Sequence, residues 1–187
     1  HIKIKKLKLD NGKTGSIITY TGITPIIPDS AFLCEGVRIV GDVEIGEDCS
    51  VWYNSVIRGD VHYIRIGKGS NIQDLSMLHV TNNKYALNIG EYVTVGHSVT
   101  LHGCTIKDRC LIGIGATVLD NAVVNSNSLV GAGALVKENF EVPEGVLVAG
   151  VPAKIIRDLS DDELNWVRKN AENYVGYTKE YRQQLEI

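Results

Sequence analysis

Aromatic side chains make up only 6% of the 187 residues, so a core of stacked rings is excluded and aliphatics must fill it, within a hydrophobic share of 44%. That length suits one compact domain, or a domain with an appendage. A basic field is missing too: the formal charge of −3 offers no attraction to nucleic acid or to an anionic membrane surface, and neither is an expected partner. The short opening run of Lys3, Lys5, Lys6 and Lys8, interleaved with Ile2, Ile4, Leu7 and Leu9, reads as a solvated edge strand. No apolar run approaches the roughly 18 residues that cross a bilayer, and no segment resembles a secretion signal. A soluble, cytoplasmic protein is the expectation. The chain begins at His1 rather than Met, so His1 is given no functional weight. Cys34, Cys49, Cys104 and Cys110 contain no CxxC spacing, which removes support for a tetrathiolate zinc site or a redox pair.

What the chain has instead is a six-residue period. Ile27, Leu33, Ile39, Ile45, Val51 and Ile57 open it; Ile66, Ile72 and Leu78 resume it; Ile89, Val95 and Leu101 follow; and Ile106, Ile112, Val118, Val124, Val130, Val136, Val142 and Val148 complete it. Breaks at 58–65 and 79–88 are expected to hold loops. Gly often follows the aliphatic, as at Gly46, Gly67, Gly90, Gly96, Gly113 and Gly131, which suggests turns that need positive φ. A small residue often stands four positions on (Val43, Ala116, Ala122, Ala134), and Cys49 and Cys110 fill the same place as core residues. Amphipathic helices need apolar positions three and four apart, which these segments lack.

This pattern resembles the hexapeptide-repeat proteins, and the resemblance implies an all-β solenoid: a left-handed parallel β-helix with three hexapeptides per triangular coil. The expected division is an N-terminal strand segment over 1–26, the β-helix over 27–155 and a C-terminal α-helix over 156–187. Pro152 in Ala149-Gly150-Val151-Pro152-Ala153-Lys154 closes the repeat, because proline has no N–H to give a ladder. Ser160-Asp161-Asp162-Glu163 is a capping box, and Leu164, Val167, Ala171, Tyr174, Val175 and Tyr181 form an apolar stripe for packing on the solenoid or a neighbour.

Three histidines fall inside this repeat. His79 and His102 each follow a repeat aliphatic, Leu78 and Leu101, whereas His97 stands two after Val95. Side chains alternate along a strand, so His97 leaves the coil on a different side from the other two. One chain would struggle to bring all three to one ion. A site between subunits, with His79 and His102 from one chain and His97 from the next, removes the difficulty.

Arg58-Gly59-Asp60, Asn71-Ile72-Gln73-Asp74, His79, Val95-Gly96-His97 and Leu101-His102-Gly103 follow, in order, the motifs of gamma-class carbonic anhydrases. The similarity runs over nearly the whole chain and implies a homotrimer that hydrates CO2 to bicarbonate, with His79, His97 and His102 as metal ligands. It implies Zn2+ as the ion, with Fe2+ or Co2+ compatible with the same donors. It implies that Arg58, Asp60 and Asp74 pair and tie subunits together. Gln73 matches a residue that hydrogen-bonds the metal-bound water, against an ordinary polar turn residue as the alternative. Tyr174 aligns with a helix tyrosine near the active site, with plain packing as the alternative.

The chain departs from the best-studied branch of that family at two proton-shuttle glutamates, where it carries Val61 and the run Thr81-Asn82-Asn83-Lys84. Slower turnover is expected, since the proton must leave by another route. His62 is a conceivable substitute, with an exposed loop histidine as the plainer reading. Two further classes stay open: a hexapeptide-repeat acyltransferase using an acyl-CoA donor, and a noncatalytic metal-binding assembly subunit.

Overall fold

Parallel strands of mostly two residues, stacked coil on coil, make up the greater part of the molecule. The computed structural model describes residues 3–8 and 14–185, with side chains described for 16–184. The coil has three faces. The first stacks Phe32–Leu33, Ser50–Val51, Asn71–Ile72, Thr94–Val95, Leu111–Ile112, Leu129–Val130 and Val146–Ala149, and ends with the antiparallel strand Lys154–Asp158. On the second lie Thr14–Thr19, the first halves of Arg38–Ile45 and Val56–Ile66, then Met77–His79, Thr100–His102, Thr117–Val118 and Leu135–Val136. The second halves of Arg38–Ile45 and Val56–Ile66, with Leu87–Ile89, Thr105–Ile106, Val123–Val124 and Glu141–Val142, make the third. This is the β-solenoid that the six-residue period predicts. Lys3–Lys8 forms a strand antiparallel to Thr14–Thr19, while the side-chain alternation expected there lies outside the described residues.

The repeat aliphatics fill the interior. Ile39, Ile57, Leu78, Val95, Leu101, Ile112, Val118, Val124, Val130, Val136, Val142 and Val148 are all fully buried in one continuous cluster. Each such side chain contributes about 1.5–3 kcal/mol relative to exposure. Cys49 and Cys110 are buried as small fillers, and burial pushes their thiols up to about 11 and about 12.

Two local expectations are corrected. Residues 58–65 are no loop: Val56–Ile66 runs unbroken through the corner, because Arg38–Ile45 crosses the same corner and pairs with it on both sides of a register shift between Gly41 and Val43. The second break does hold a loop, over 80–86, closed by a bridge between Thr81 and Tyr85. The glycines after the aliphatics do not serve positive φ. A Cβ on Gly67 would stand 2.5 Å from the carbonyl carbon of Gly90, and one on Gly113 2.5 Å from Ala132 N, so these glycines let coils approach. Left-handed corners fall mostly on other glycines and on Asn or Asp, as at Gly36, Asp48, Asn54, Gly69 and Asn121, but also on Leu75, Tyr92 and Arg109, each tied through its N–H to the preceding coil (Tyr92 N to Lys68 O, 2.8 Å). Those hydrogen bonds offset a backbone cost that sequence alone would assign to Gly or Asn.

The helix Asp161–Leu185 starts at the expected box: Ser160 N donates to Glu163 Oε2 (2.9 Å) and Glu163 N to Ser160 Oγ (3.3 Å). Its inward face carries Val167, Ala171 and Thr178, all buried. It packs on its own solenoid, against Ser50–Val51 and Thr94–Val95 of the first face, and Arg182 at its far end donates to the carbonyl of Ala31 (2.9 Å). No described helix is long and apolar enough to cross a membrane.

Candidate metal centre

The backbone ladder places His79 directly beside His102. Leu78 pairs with Leu101 and His79 with His102, so the two imidazoles project together where the second face turns into the third. His79 Nδ1 and His102 Nε2 stand 3.1 Å apart. Each ring is held from its outer side by a carboxylate: His79 Nε2 lies 3.1 Å from Asp60 Oδ1, and His102 Nδ1 lies 2.7 Å from Asp120 Oδ1. Asp60 in turn accepts from Arg58 Nη1, and Asp120 accepts from the Thr81 hydroxyl at 3.0 Å. A polar chain therefore runs Arg58, Asp60, His79, His102, Asp120, Thr81. Gly59 is required within it, since a Cβ there would come within 2.5 Å of Asp42 O in the neighbouring coil.

The charge balance of this chain suits a cation. With both outer nitrogens donating to carboxylates, the two inner nitrogens meet as lone pairs, and such a pair is satisfied by a shared proton or a shared metal ion. Burial depresses the His79 pKa, helped by the charges of Arg58 and His102, and outweighs the raising effect of Asp60. The neutral His79 ring is thereby favoured, with its Nδ1 turned to His102. Two nitrogens on one tetrahedral zinc with bonds of about 2.0–2.1 Å lie about 3.3–3.4 Å apart, close to what the pair shows. Burial alone would raise Asp60, but hydrogen bonds from Arg58 and His79 hold it below the usual carboxylate range, ionised as their partner.

His97 is at another corner, where the first face turns into the second. Its Nδ1 lies 2.8 Å from Asp74 Oδ2, and with a side chain 45% exposed it is the most accessible of the three histidines. Gln73 precedes Asp74 at this corner. It is buried, and its amide donates inward to Asn71 Oδ1 (3.1 Å), continuing through Thr94 to Asn170 on the helix. Tyr174 packs edge-on to Trp52, with ring centroids 5.5 Å apart. Burial raises its pKa, and the charge of Asp74 adds to the effect.

One chain thus carries two separate groups: Arg58, Asp60, His79 and His102 at one corner, and Gln73, Asp74, His97 and Tyr174 at another. Among the described residues of one chain, no three His, Cys, Asp or Glu side chains form a metal cluster, since Asp60 and Asp120 occupy the outer sides of the rings. Arg58 and Asp60 pair as expected, whereas Asp74 holds His97 rather than an arginine. Asp120 has no part in the sequence reading, which names Thr81 only in the loop run and Gly103 only beside His102. A signal for Asp120 exists in the coil length, because it follows His102 by 18 residues, one regular coil.

No family model matches the chain. Curated relatives do: it is 48% identical over 150 residues to the probable carbonic anhydrase of Methanocaldococcus jannaschii, covering 80% of this chain and 94% of that one. It is 43% identical over 155 residues to the mitochondrial gamma carbonic anhydrase 1 of Arabidopsis thaliana, covering 80% of this chain and 56% of that one, so it spans a little over half of the plant protein. Among solved structures, a Bacillus cereus protein titled a putative acetyltransferase superposes with a TM-score of 0.86 at 40% identity, covering 89% of this chain and 96% of that one. The coil, its paired histidines and these relatives agree, and the chain belongs to the gamma carbonic anhydrase family.

Proposed function

We propose that this protein hydrates CO2 to bicarbonate at a metal centre shared between copies of the chain in a homotrimer, with His79 and His102 from one copy and His97 from the next. One observation carries the reading: each of the three histidines has one ring nitrogen on its own aspartate, which leaves the other nitrogen for an ion. Metal-binding histidines are oriented this way, and the carboxylate raises ligand basicity. Zn2+ fits three neutral imidazoles with a fourth position open, and Fe2+ or Co2+ would accept the same set. When bound, such an ion lowers the pKa of water to about 7 and so supplies hydroxide for attack on CO2 at neutral pH.

The chain's own residues do the rest. Asp60 and Asp74 fix the rings of His79 and His97, and Arg58 keeps Asp60 ionised. In this reading Gln73 and Tyr174 come to the centre with His97. The Gln73 amide is oriented by Asn71, and Tyr174 sets one wall through its contact with Trp52. Val61 and the loop 80–86 offer no carboxylate for the outgoing proton, so turnover below that of relatives with such a group is part of the proposal. The buried thiols Cys49, Cys104 and Cys110 support a reducing, cytoplasmic setting.

Metal analysis of protein purified without chelator, followed by stopped-flow CO2 hydration, tests the reading. Stoichiometric metal with hydration that chelation abolishes is expected. Metal-free protein that turns over acetyl-CoA would replace it with the acyltransferase reading suggested by the likeness to the Bacillus cereus putative acetyltransferase. Bound metal without hydration would leave an assembly subunit.

A further inference from the structure

We propose that Asp120 is the positioning residue for His102, and that Thr81 makes the loop 80–86 part of the metal centre by holding Asp120. The inference rests on the metal-centre reading above and adds residues to it.

Three independent features converge on the Asp120 carboxylate. His102 Nδ1 stands 2.7 Å from Asp120 Oδ1, the shortest of the three histidine–aspartate contacts. An N–H on Nδ1 donated to this carboxylate leaves Nε2 unprotonated, and Nε2 is the nitrogen that faces His79. Asp120 therefore sets both the tautomer and the tilt of the ring. The second feature is Thr81, whose hydroxyl lies 3.0 Å from both Oδ1 and Oδ2, so it fixes the carboxylate that meets the imidazole through Oδ1.

The third feature is the residue after His102. Gly103 has φ of +55°, and a Cβ on it would fall 2.1 Å from Asp120 Oδ1 and 2.8 Å from Tyr85 Cβ. Any side chain at 103 would push the carboxylate off the ring. The space for Asp120 is thus left open in the coil that carries its histidine.

Both partners are fixed by backbone as well. Asp120 O accepts from Asn139 N (3.0 Å) in the next coil, while Asn121 N donates to Gly103 O (2.8 Å). Thr81 N donates to Tyr85 O (3.0 Å), and Thr81 O accepts from Lys84 N (3.1 Å), which closes the loop into a turn. The loop breaks the repeat, and its hydroxyl is delivered to a carboxylate that the regular repeat provides. A purely structural Asp120–Thr81 contact would secure the loop without regard to the histidine. A positioning role predicts that the metal feels its loss.

The test compares the unsubstituted protein with Asp120→Ala, Asp120→Asn and Thr81→Val. Zn2+ affinity is read by competition with a chromophoric chelator, Co2+ binding by its visible absorption, and folding by thermal unfolding of the metal-free forms. Asp120→Ala is expected to weaken Zn2+ binding by about 10–100-fold and to perturb the Co2+ spectrum. Asp120→Asn keeps an acceptor oxygen and should recover most of that loss, and Thr81→Val should fall between the two. Wild-type affinity in Asp120→Ala would overturn the inference while the metal centre stands. Equal loss in Asp120→Ala and Asp120→Asn would also overturn it, as would equal falls in metal-free melting temperature and affinity for Thr81→Val. Absence of metal binding by the unsubstituted protein would sink this inference together with the function on which it rests.

Discussion

The coils on the two sides of His102 obey different rules. Beyond it the chain advances in steps of 17 or 18 residues, as from Asn127 to Glu144 and from Asn121 to Asn139. Before it the chain also takes a step of 18 from Phe32 to Ser50, but the steps around His79 lengthen to 21 from Ser55 to Ser76 and to 23 from His79 to His102. The extra residues lie at 60–63 and 80–86, on both sides of His79. Both regions share one aliphatic core, so the insertions cost the interior nothing and stay at one corner. A regular ladder supplies rigid positions, and departures from it supply the groups that chemistry needs. Asp60 and Thr81 come from the departures, His79 and His102 from the ladder.

The sharpest way to break this contrast is to separate the proposed half-sites. His79→Ala or His97→Ala should each reduce metal content and CO2 hydration to background. Co-refolding the two variants should restore part of both, because the proposed arrangement then leaves one interface with His79 and His102 from one chain and His97 from the other. No recovery, with trimers formed, would show that the ion is not shared. Next in size, Leu101→Ala in the irregular region and Ile112→Ala in the regular region should each cost about 2–5 kcal/mol of stability, both side chains being fully buried. Denaturant titration reads that loss. Only Leu101→Ala should also weaken metal binding, since Leu101 precedes His102; equal metal affinity in the two would erase the functional difference between the regions.

A smaller effect concerns pH. Because the folded pKa of His79 is depressed, the folded chain takes up that proton less readily than the unfolded chain. Stability from this source is complete above the unfolded value of about 6.5 and is lost as the pH falls from there through the lower folded value. Asp60, also depressed, adds a loss that begins below about 3.9. Metal-free protein should melt lower at a pH of about 5.5 than at about 7.5, and His79→Gln should narrow that gap. A gap unchanged by the substitution would remove His79 as its source. The smallest effect is expected at His62, whose Nδ1 accepts from its neighbour's backbone, Tyr63 N, at 2.9 Å. His62→Ala should leave hydration unaltered; a fall that added buffer rescues would make it the proton route.

Legibility in the sequence followed the same divide. The core could be read because one aliphatic every six residues has a single geometric solution, and the pairing of His79 with His102 follows from their shared place after Leu78 and Leu101. The corner at 58–65 could not be read, because an insertion that remains paired looks like a loop when only its lost period is visible. Tyr92 and Arg109 adopt left-handed corners against their type, since the N–H that holds them belongs to a ladder rather than to the local sequence. The apolar stripe of the helix announced that it packs without naming the surface. Asp120 was within reach of counting, one coil beyond His102, but the count begins only once the coil length is known.

A solenoid touches only its neighbours, and such a stack would ordinarily fray coil by coil from its ends. The helix changes that. It leaves the last coil, passes Thr94–Val95 and Ser50–Val51, and ends with Arg182 on the carbonyl of Ala31 in the first. Fraying at either end strips contacts from the other, so the chain should melt as one cooperative unit, like a spring laced along its side.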